Sequence, residues 1–228
     1  MNKIPGKLIF FGEYAVTKGG RCVVGAVDLF LDENENQLIG SNNQKLGLGS
    51  SGAKFVLQAR QQFPDADDDE IFEIALKNSR IEQPNNSGSD VAASTYTGLL
   101  LYQNDKVIQK LHWPEEWNFD AINSGIPAKT DELILKNNIN QKFLDNSETA
   151  IDLFLEAIIE INYQKLQSAI KVAQDNLMTI NNIADNRLAD LLKKYPDSKI
   201  SGAGFGDNII AFSQQPINGG LGLSLYYK

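Results

Sequence analysis

Nothing constrains this chain more than the run Lys45-Leu-Gly-Leu-Gly-Ser-Ser-Gly-Ala53, where three glycines fall within six residues and a helical pattern follows at once, Ala53 to Phe63. Glycine adopts backbone angles closed to other residues and lets a ligand come close. A glycine loop that opens a helix gathers unpaired N–H groups at the positive end of the helix dipole, which suits a phosphate. The same string also reads as a plain flexible loop with an N-cap serine, and the loop alone leaves both readings open. Written as Gly47-x-Gly49-x-x-Gly52 it invites two rivals. A dinucleotide site needs a buried strand just before the loop, but Gly40-Ser-Asn-Asn-Gln44 is polar and turn-like. A protein-kinase loop needs a downstream His-Arg-Asp loop and Asp-Phe-Gly; both are missing, as is a Walker A lysine.

Composition narrows the partners. The 228 residues, 42% hydrophobic and 22% charged, suffice for one domain or two small lobes of a globular protein. A net charge of −8 argues against a nucleic-acid or anionic-membrane surface, while leaving room for a phosphorylated ligand held by a few local cations. The single cysteine, Cys22, lies in an apolar run and is expected to be a buried core thiol in a reducing compartment. With no apolar stretch of membrane-spanning length and no signal-like N-terminus, the expected location is the cytoplasm.

Along the chain, Lys7–Phe11 and Cys22–Leu31 read as antiparallel strands joined through Lys18-Gly-Gly20. Two helices follow the glycine loop, the second over Asp68 to Lys77 behind the acids Asp65 to Glu70, which form a solvated N-terminal cluster rather than a metal site. Asp90 to Tyr96 starts a helix, and Gly98–Tyr102 with Lys106–Leu111 forms a hairpin. His112, the only histidine, is expected at the surface. Trp117–Asn123 is a further strand, and Thr130 to Lys194 is almost wholly helical, with core stripes Leu153, Ala157, Ile158, Ile161 and Leu166, Ile170, Ala173, Leu177. The run from Lys199 to Phe212 reads strand, glycine loop, strand, and Leu223–Tyr227 a last strand.

Three glycine-bearing segments occur in a fixed order: Ile4-Pro-Gly-Lys-Leu-Ile-Phe-Phe-Gly-Glu-Tyr-Ala-Val16, the Gly-Leu-Gly-Ser-Ser loop, and Lys199-Ile-Ser-Gly-Ala-Gly-Phe-Gly-Asp207. They resemble motifs one, two and three of the GHMP kinases, the superfamily of galactokinase, homoserine kinase, mevalonate kinase and phosphomevalonate kinase. Ser87-Gly-Ser-Asp-Val-Ala-Ala-Ser94 resembles the segment that carries the family's catalytic aspartate, and Ser124-Gly-Ile-Pro-Ala-Lys-Thr130 its Thr-Gly-x-Pro-x-Ser-Thr stretch. Within the family the likeness is greatest to phosphomevalonate kinases, since Tyr14 stands where mevalonate kinases usually have histidine. The mevalonate kinases' magnesium-binding glutamate has no clear match, Ser79 falling near its place and Glu82 out of step. The chain is also unusually short between Tyr14 and Lys45 and between Ala53 and Ser87.

The resemblance implies an α+β fold of two lobes, residues 1–115 with the phosphate loop and a ferredoxin-like 116–228, with the active site between them. It implies ATP and Mg²⁺ as cofactors and a small-molecule phosphate acceptor, phosphomevalonate first, mevalonate or another GHMP substrate next. Nucleic acid and membrane are not expected as partners, and the chain is expected to be a monomer or homodimer. Lys45, Gly47, Gly49, Ser50, Ser51 and Gly52 would hold the nucleotide, with Ser51 also serving the metal. Asp90 would be the catalytic acidic residue and Lys7 its cationic partner. Glu13, Tyr14, Ser89, Gly202, Ala203 and Gly204 would line the acceptor, with Gly206 helping the third motif close. A non-catalytic GHMP-like binding protein is the alternative from another functional class; retention of Lys7, Ser50, Ser51 and Asp90 together speaks against it.

Overall fold

The computed structural model describes residues 3–33, 37–38, 46–125, 139–180, 186–202 and 208–228. The chain begins with β1 (Ile4–Phe11), a short 3-10 turn (Ala15–Lys18) and β2 (Cys22–Leu31). Helices α1 (Ser50–Gln62), α2 (Asp68–Glu82) and α3 (Ser89–Tyr96) follow, then the hairpin β3 (Leu99–Gln103) and β4 (Lys106–Leu111). The second half holds β5 (Asn118–Asn123), α4 (Gln141–Glu160), α5 (Tyr163–Ile180), α6 (Asn186–Lys194), β6 (Ser198–Ser201) and β7 (Asn208–Ser213).

Two antiparallel sheets result, one ordered β1-β2-β3-β4 and one ordered β5-β7-β6, so the α+β expectation holds and a continuous parallel sheet is excluded among the described residues. The sheets share one core. Phe10 of β1 meets Phe119 of β5 with ring centroids 5.0 Å apart, and Phe11 meets Phe154 of α4 at 4.8 Å. Aromatic pairs of this kind add ~0.5–1.5 kcal/mol beyond the area they bury, which helps hold the two sheets together.

Local chemistry explains most boundaries. Asp67 caps α2 by accepting from the Asp69 and Glu70 N–H groups, while the Glu70 carboxylate accepts from Asp67, so part of the acidic cluster is a capping box. His112 is exposed and Cys22 is fully buried, as expected. One expectation holds only in part and another fails. The buried line of α4 runs through Phe143, Ala150, Ile151, Phe154 and Ala157, while Leu153 and Ile158 are half-buried and Ile161 is 53% exposed. The helix turns its large aromatic rings inward, because they carry more apolar area than the aliphatic line on its flank.

The second concerns residues 223–227, which form no strand but a single bridge, Leu225 to Val27. β3 pairs only with Cys22 to Gly25 of β2, and the tail occupies the open edge beyond. There the Tyr226 N–H donates to the Ala26 carbonyl at 2.9 Å and the Asp28 N–H donates to Ser224 at 3.1 Å. Asp120, 5% exposed, steers the tail across from the second sheet by accepting from the Gly222 and Leu223 N–H groups.

Candidate active site

The glycine loop folds onto the edge of β1. The Lys7 N–H donates to the Leu48 carbonyl at 2.8 Å, so the loop covers a strand edge that would otherwise leave its hydrogen-bonding groups unpaired. Gly47 and Gly49 have φ of 70° and 78°, the left-handed region, and Gly49 is the N-cap of α1. The helix starts at Ser50, three residues before the pattern predicts.

Two of the loop's glycines make room for charged side chains. A Cβ on Gly49 would lie 2.5 Å from Cγ of Lys7, and a Cβ on Gly52 would lie 2.8 Å from both Cγ and Oδ2 of Asp90. Lys7, from β1, and Asp90, in the first turn of α3, therefore lie directly on the loop, and both are half-buried. The Oδ1 atom of Asp90 accepts from the Val91 N–H at 2.9 Å, leaving Oδ2 against Gly52. The two serines differ. Ser50 is 5% exposed and its Oγ accepts from the Leu38 N–H at 2.9 Å, whereas Ser51 is half-buried and its Oγ accepts from the Gln83 amide at 3.0 Å.

The residues expected to meet the acceptor lie deeper than their motifs imply. Glu13 is 3% exposed and its carboxylate is bonded to Nζ of Lys199, itself 0% exposed. Burial pushes the Glu13 carboxyl up and the Lys199 amine down, and each partner opposes the other's shift. Lys199 also donates to the Ile200 carbonyl at 2.8 Å and sits over the Phe11 ring at 5.6 Å. Tyr14, 2% exposed and at φ 61°, packs in the core beside Phe143 and Leu177. Ser89 is 2% exposed, bonded to Ser87 at 3.0 Å, and neighbours the Cys22 thiol, whose pKa burial pushes far up. Gly202 has φ 88° and a Cβ there would meet nothing within 4 Å. Lys45, Ala203, Gly204, Gly206 and the stretch 126–130 lie outside the described residues.

Three buried side chains of the second sheet were not singled out by the sequence reading. Besides Lys199, Ser201 donates to the Ile9 carbonyl at 2.7 Å, and Asn208 donates to the Leu46 carbonyl at 2.7 Å. These bonds join β6 and β7 to the first motif and to the glycine loop. A lysine inside a buried strand is the one available signal, since such a cation needs a carboxylate and Glu13 sits in an equally apolar setting.

The geometry fits a phosphate chain. Left-handed glycines at a helix N-terminus present backbone N–H groups, and a cation and a carboxylate flank them. No three His, Cys, Asp or Glu side chains gather as a metal cage among the described residues. Magnesium in phosphoryl-transfer sites needs less, one or two carboxylates plus phosphate oxygens, and Asp90 beside the Ser51–Gly52 turn fits that demand. Ser79 is buried in α2 and donates to the Leu76 carbonyl, so it offers the site no carboxylate.

No family model matches the chain. A mevalonate kinase of Archaeoglobus fulgidus is 26% identical over 256 residues, covering 89% of this chain and 88% of its own. That alignment is longer than the chain's 228 residues, so it crosses insertions in the relative. Among solved structures, Streptococcus pneumoniae phosphomevalonate kinase in complex with phosphomevalonate and AMPPNP superposes with a TM-score of 0.82 at 19% identity, over 94% of this chain and 92% of that one. L. major mevalonate kinase in complex with R-mevalonate gives 0.76 at 18%, over 93% and 86%. The chain has the GHMP-kinase fold, shortened by internal segments.

Proposed function

We propose that this chain is an ATP-dependent small-molecule kinase of the mevalonate-pathway type, with phosphomevalonate as its acceptor. The observation that carries the reading is the seating of Lys7 on Gly49 and of Asp90 on Gly52. It brings a cation from the first motif and a carboxylate from the fourth segment onto the loop of the second. The fold likeness to a phosphomevalonate kinase supports the same reading.

Magnesium-bound ATP would supply the transferable phosphoryl group and offset part of its charge. Phosphoryl transfer asks the protein for positioning and electrostatics more than for covalent chemistry. The Gly47–Gly52 turn and the N-terminus of α1 would cradle the phosphates, with the Ser51 hydroxyl at their edge and Ser50 bracing the loop against Leu38. Lys45 would approach from the loop's start. Lys7 would offset negative charge on the transferring group, and Asp90 would face the acceptor oxygen. Ser89 and the third-motif residues Gly202, Ala203 and Gly204 would close on the acceptor, with Glu13 and Tyr14 shaping its floor from within.

Mevalonate is the second reading, favoured by the Archaeoglobus relative. The two acceptors ask different things of the site. A mevalonate hydroxyl needs its proton taken, so a base should contribute ~10²–10⁴-fold. A phosphate monoester, with a second pKa of about 6, is already mostly ionised, and the harder task is holding two anionic phosphates together. Release of ADP should therefore be measured with Mg-ATP against phosphomevalonate, mevalonate, galactose and homoserine, for wild type, Lys7→Ala and Asp90→Asn. Phosphomevalonate is expected to be preferred, with Lys7→Ala the more damaging change. Mevalonate as the better substrate, with Asp90→Asn more damaging, would reverse the acceptor assignment.

A further inference from the structure

We propose that Asn208 is a positioning residue for the nucleotide phosphates, holding the glycine loop from the opposite sheet so that its N–H groups face the ligand. The proposal rests on the kinase reading above and deepens it. Asn208 is the first residue of β7 and 1% exposed. Its Nδ2 donates to the Leu46 carbonyl at 2.7 Å, and its Oδ1 accepts from the Asn123 amide at 3.1 Å, which fixes the orientation of the group. Asn208 pairs in register with Asn123 at the end of β5 and with Ser201 at the end of β6, so three strand ends meet behind the loop.

The consequence follows from the planarity of the peptide bond. In a trans peptide the C=O and the following N–H point in opposite directions. Two loop carbonyls are tied inward: Leu46 to Asn208, and Leu48 to the Lys7 N–H at 2.8 Å. The N–H groups of Gly47 and Gly49 are thereby turned away from those anchors. No described residue accepts from either of them, and both glycines are half-buried. One anchor is a backbone bond from β1 that any sequence could make. The other depends on one side chain from a distant part of the chain. A loop of glycines has wide backbone freedom, so without that anchor the first peptide of the turn is free to rotate and withdraw its N–H.

Calorimetry on the whole chain tests this without an acceptor, using Mg-AMPPNP and inorganic tripolyphosphate as probes. Asn208→Leu fills the same space without the donor, and Asn208→Ala is the smaller change that carries the measurement if the leucine variant does not fold. Loss of one aligned N–H should raise the dissociation constant for both probes by about tenfold. Equal loss for both marks the phosphates, not the base, as what Asn208 serves. A variant that melts at lower temperature yet binds Mg-AMPPNP as wild type does would overturn the proposal, leaving Asn208 as a strut between sheets. A wild-type protein that binds no Mg-AMPPNP would overturn the kinase reading itself, and this inference with it.

Discussion

Two sets of opposite charges in this molecule differ in almost everything but sign. Lys7 and Asp90 lie at the mouth of the glycine loop, half-buried, each resting on a glycine. Glu13 and Lys199 lie at the seam between the sheets, 3% and 0% exposed, bonded to one another. The mouth pair keeps access to solvent and so to a ligand. The seam pair has lost its water and depends on its partner, because an unpartnered charge in a low-dielectric interior is very costly. First-motif residues thus divide by depth: Lys7 stays half-buried against the glycine loop, while Glu13, expected at the acceptor, is buried and joins the first motif to Lys199 of β6.

The largest effect should come from breaking the seam. Lys199→Met leaves Glu13 buried without a partner and should cost ~3–5 kcal/mol of folding stability, read from urea unfolding. The double variant Lys199→Met/Glu13→Leu should recover much of that loss, since removing both charges removes the stranded one. Lys7→Met, by contrast, should leave the unfolding curve almost in place. If both lysine variants destabilise equally, the division by depth fails.

A smaller effect should sharpen the mouth. Gly52→Ala replaces a helical glycine and should by propensity stabilise α1 by up to ~1 kcal/mol. Its methyl, however, would press on the Asp90 carboxyl group at 2.8 Å and on the Asp90 backbone at 3.0 Å. Turnover should fall at least about tenfold, ~1.4 kcal/mol in the barrier, with a change in melting temperature small beside that of Lys199→Met. Unchanged turnover would show that Asp90 has slack and that its seat on Gly52 is incidental.

The smallest effect extends the comparison to the open surface. Arg80 holds Asp105 by two hydrogen bonds of 2.7 and 2.6 Å, with side chains 37% and 43% exposed. Arg80 draws the Asp105 carboxyl below its ordinary value of 3.8, so the stabilisation is present above that pH and is lost as pH falls through the lowered value. Solvent screening limits the pair to ~0.2–1 kcal/mol. Asp105→Asn should therefore lower the melting temperature slightly at pH 7, and the gap from wild type should narrow as pH falls below 3.8 and the carboxyl group takes up its proton. A gap that persists at the lower pH would point to lost packing rather than lost charge.

Legibility follows the range of the interactions concerned. β2 and the β3–β4 hairpin could be read because alternation, turns and apolar runs are local, and the N-terminus of α2 because acids gather in a helix's first turn. The loop's glycines were legible as glycines, yet not the reason for each. Gly49 and Gly52 leave space for Lys7 and Asp90, residues from β1 and α3 that no spacing rule connects to them. The α4 stripe was only partly right, Ile161 being exposed, because sequence periodicity does not say which flank of a helix a neighbouring aromatic will claim.

By itself, then, the sequence determined most of the order of elements and the α+β class, both matters of neighbouring residues. Only the tertiary structure decided depth. Glu13 and Lys199, separated by 186 positions, become one buried pair, and Asn208 and Leu46, separated by 162, become one anchor. The free energy of such contacts depends on how much water is excluded around them, and that is fixed only once both sheets have closed on the shared core.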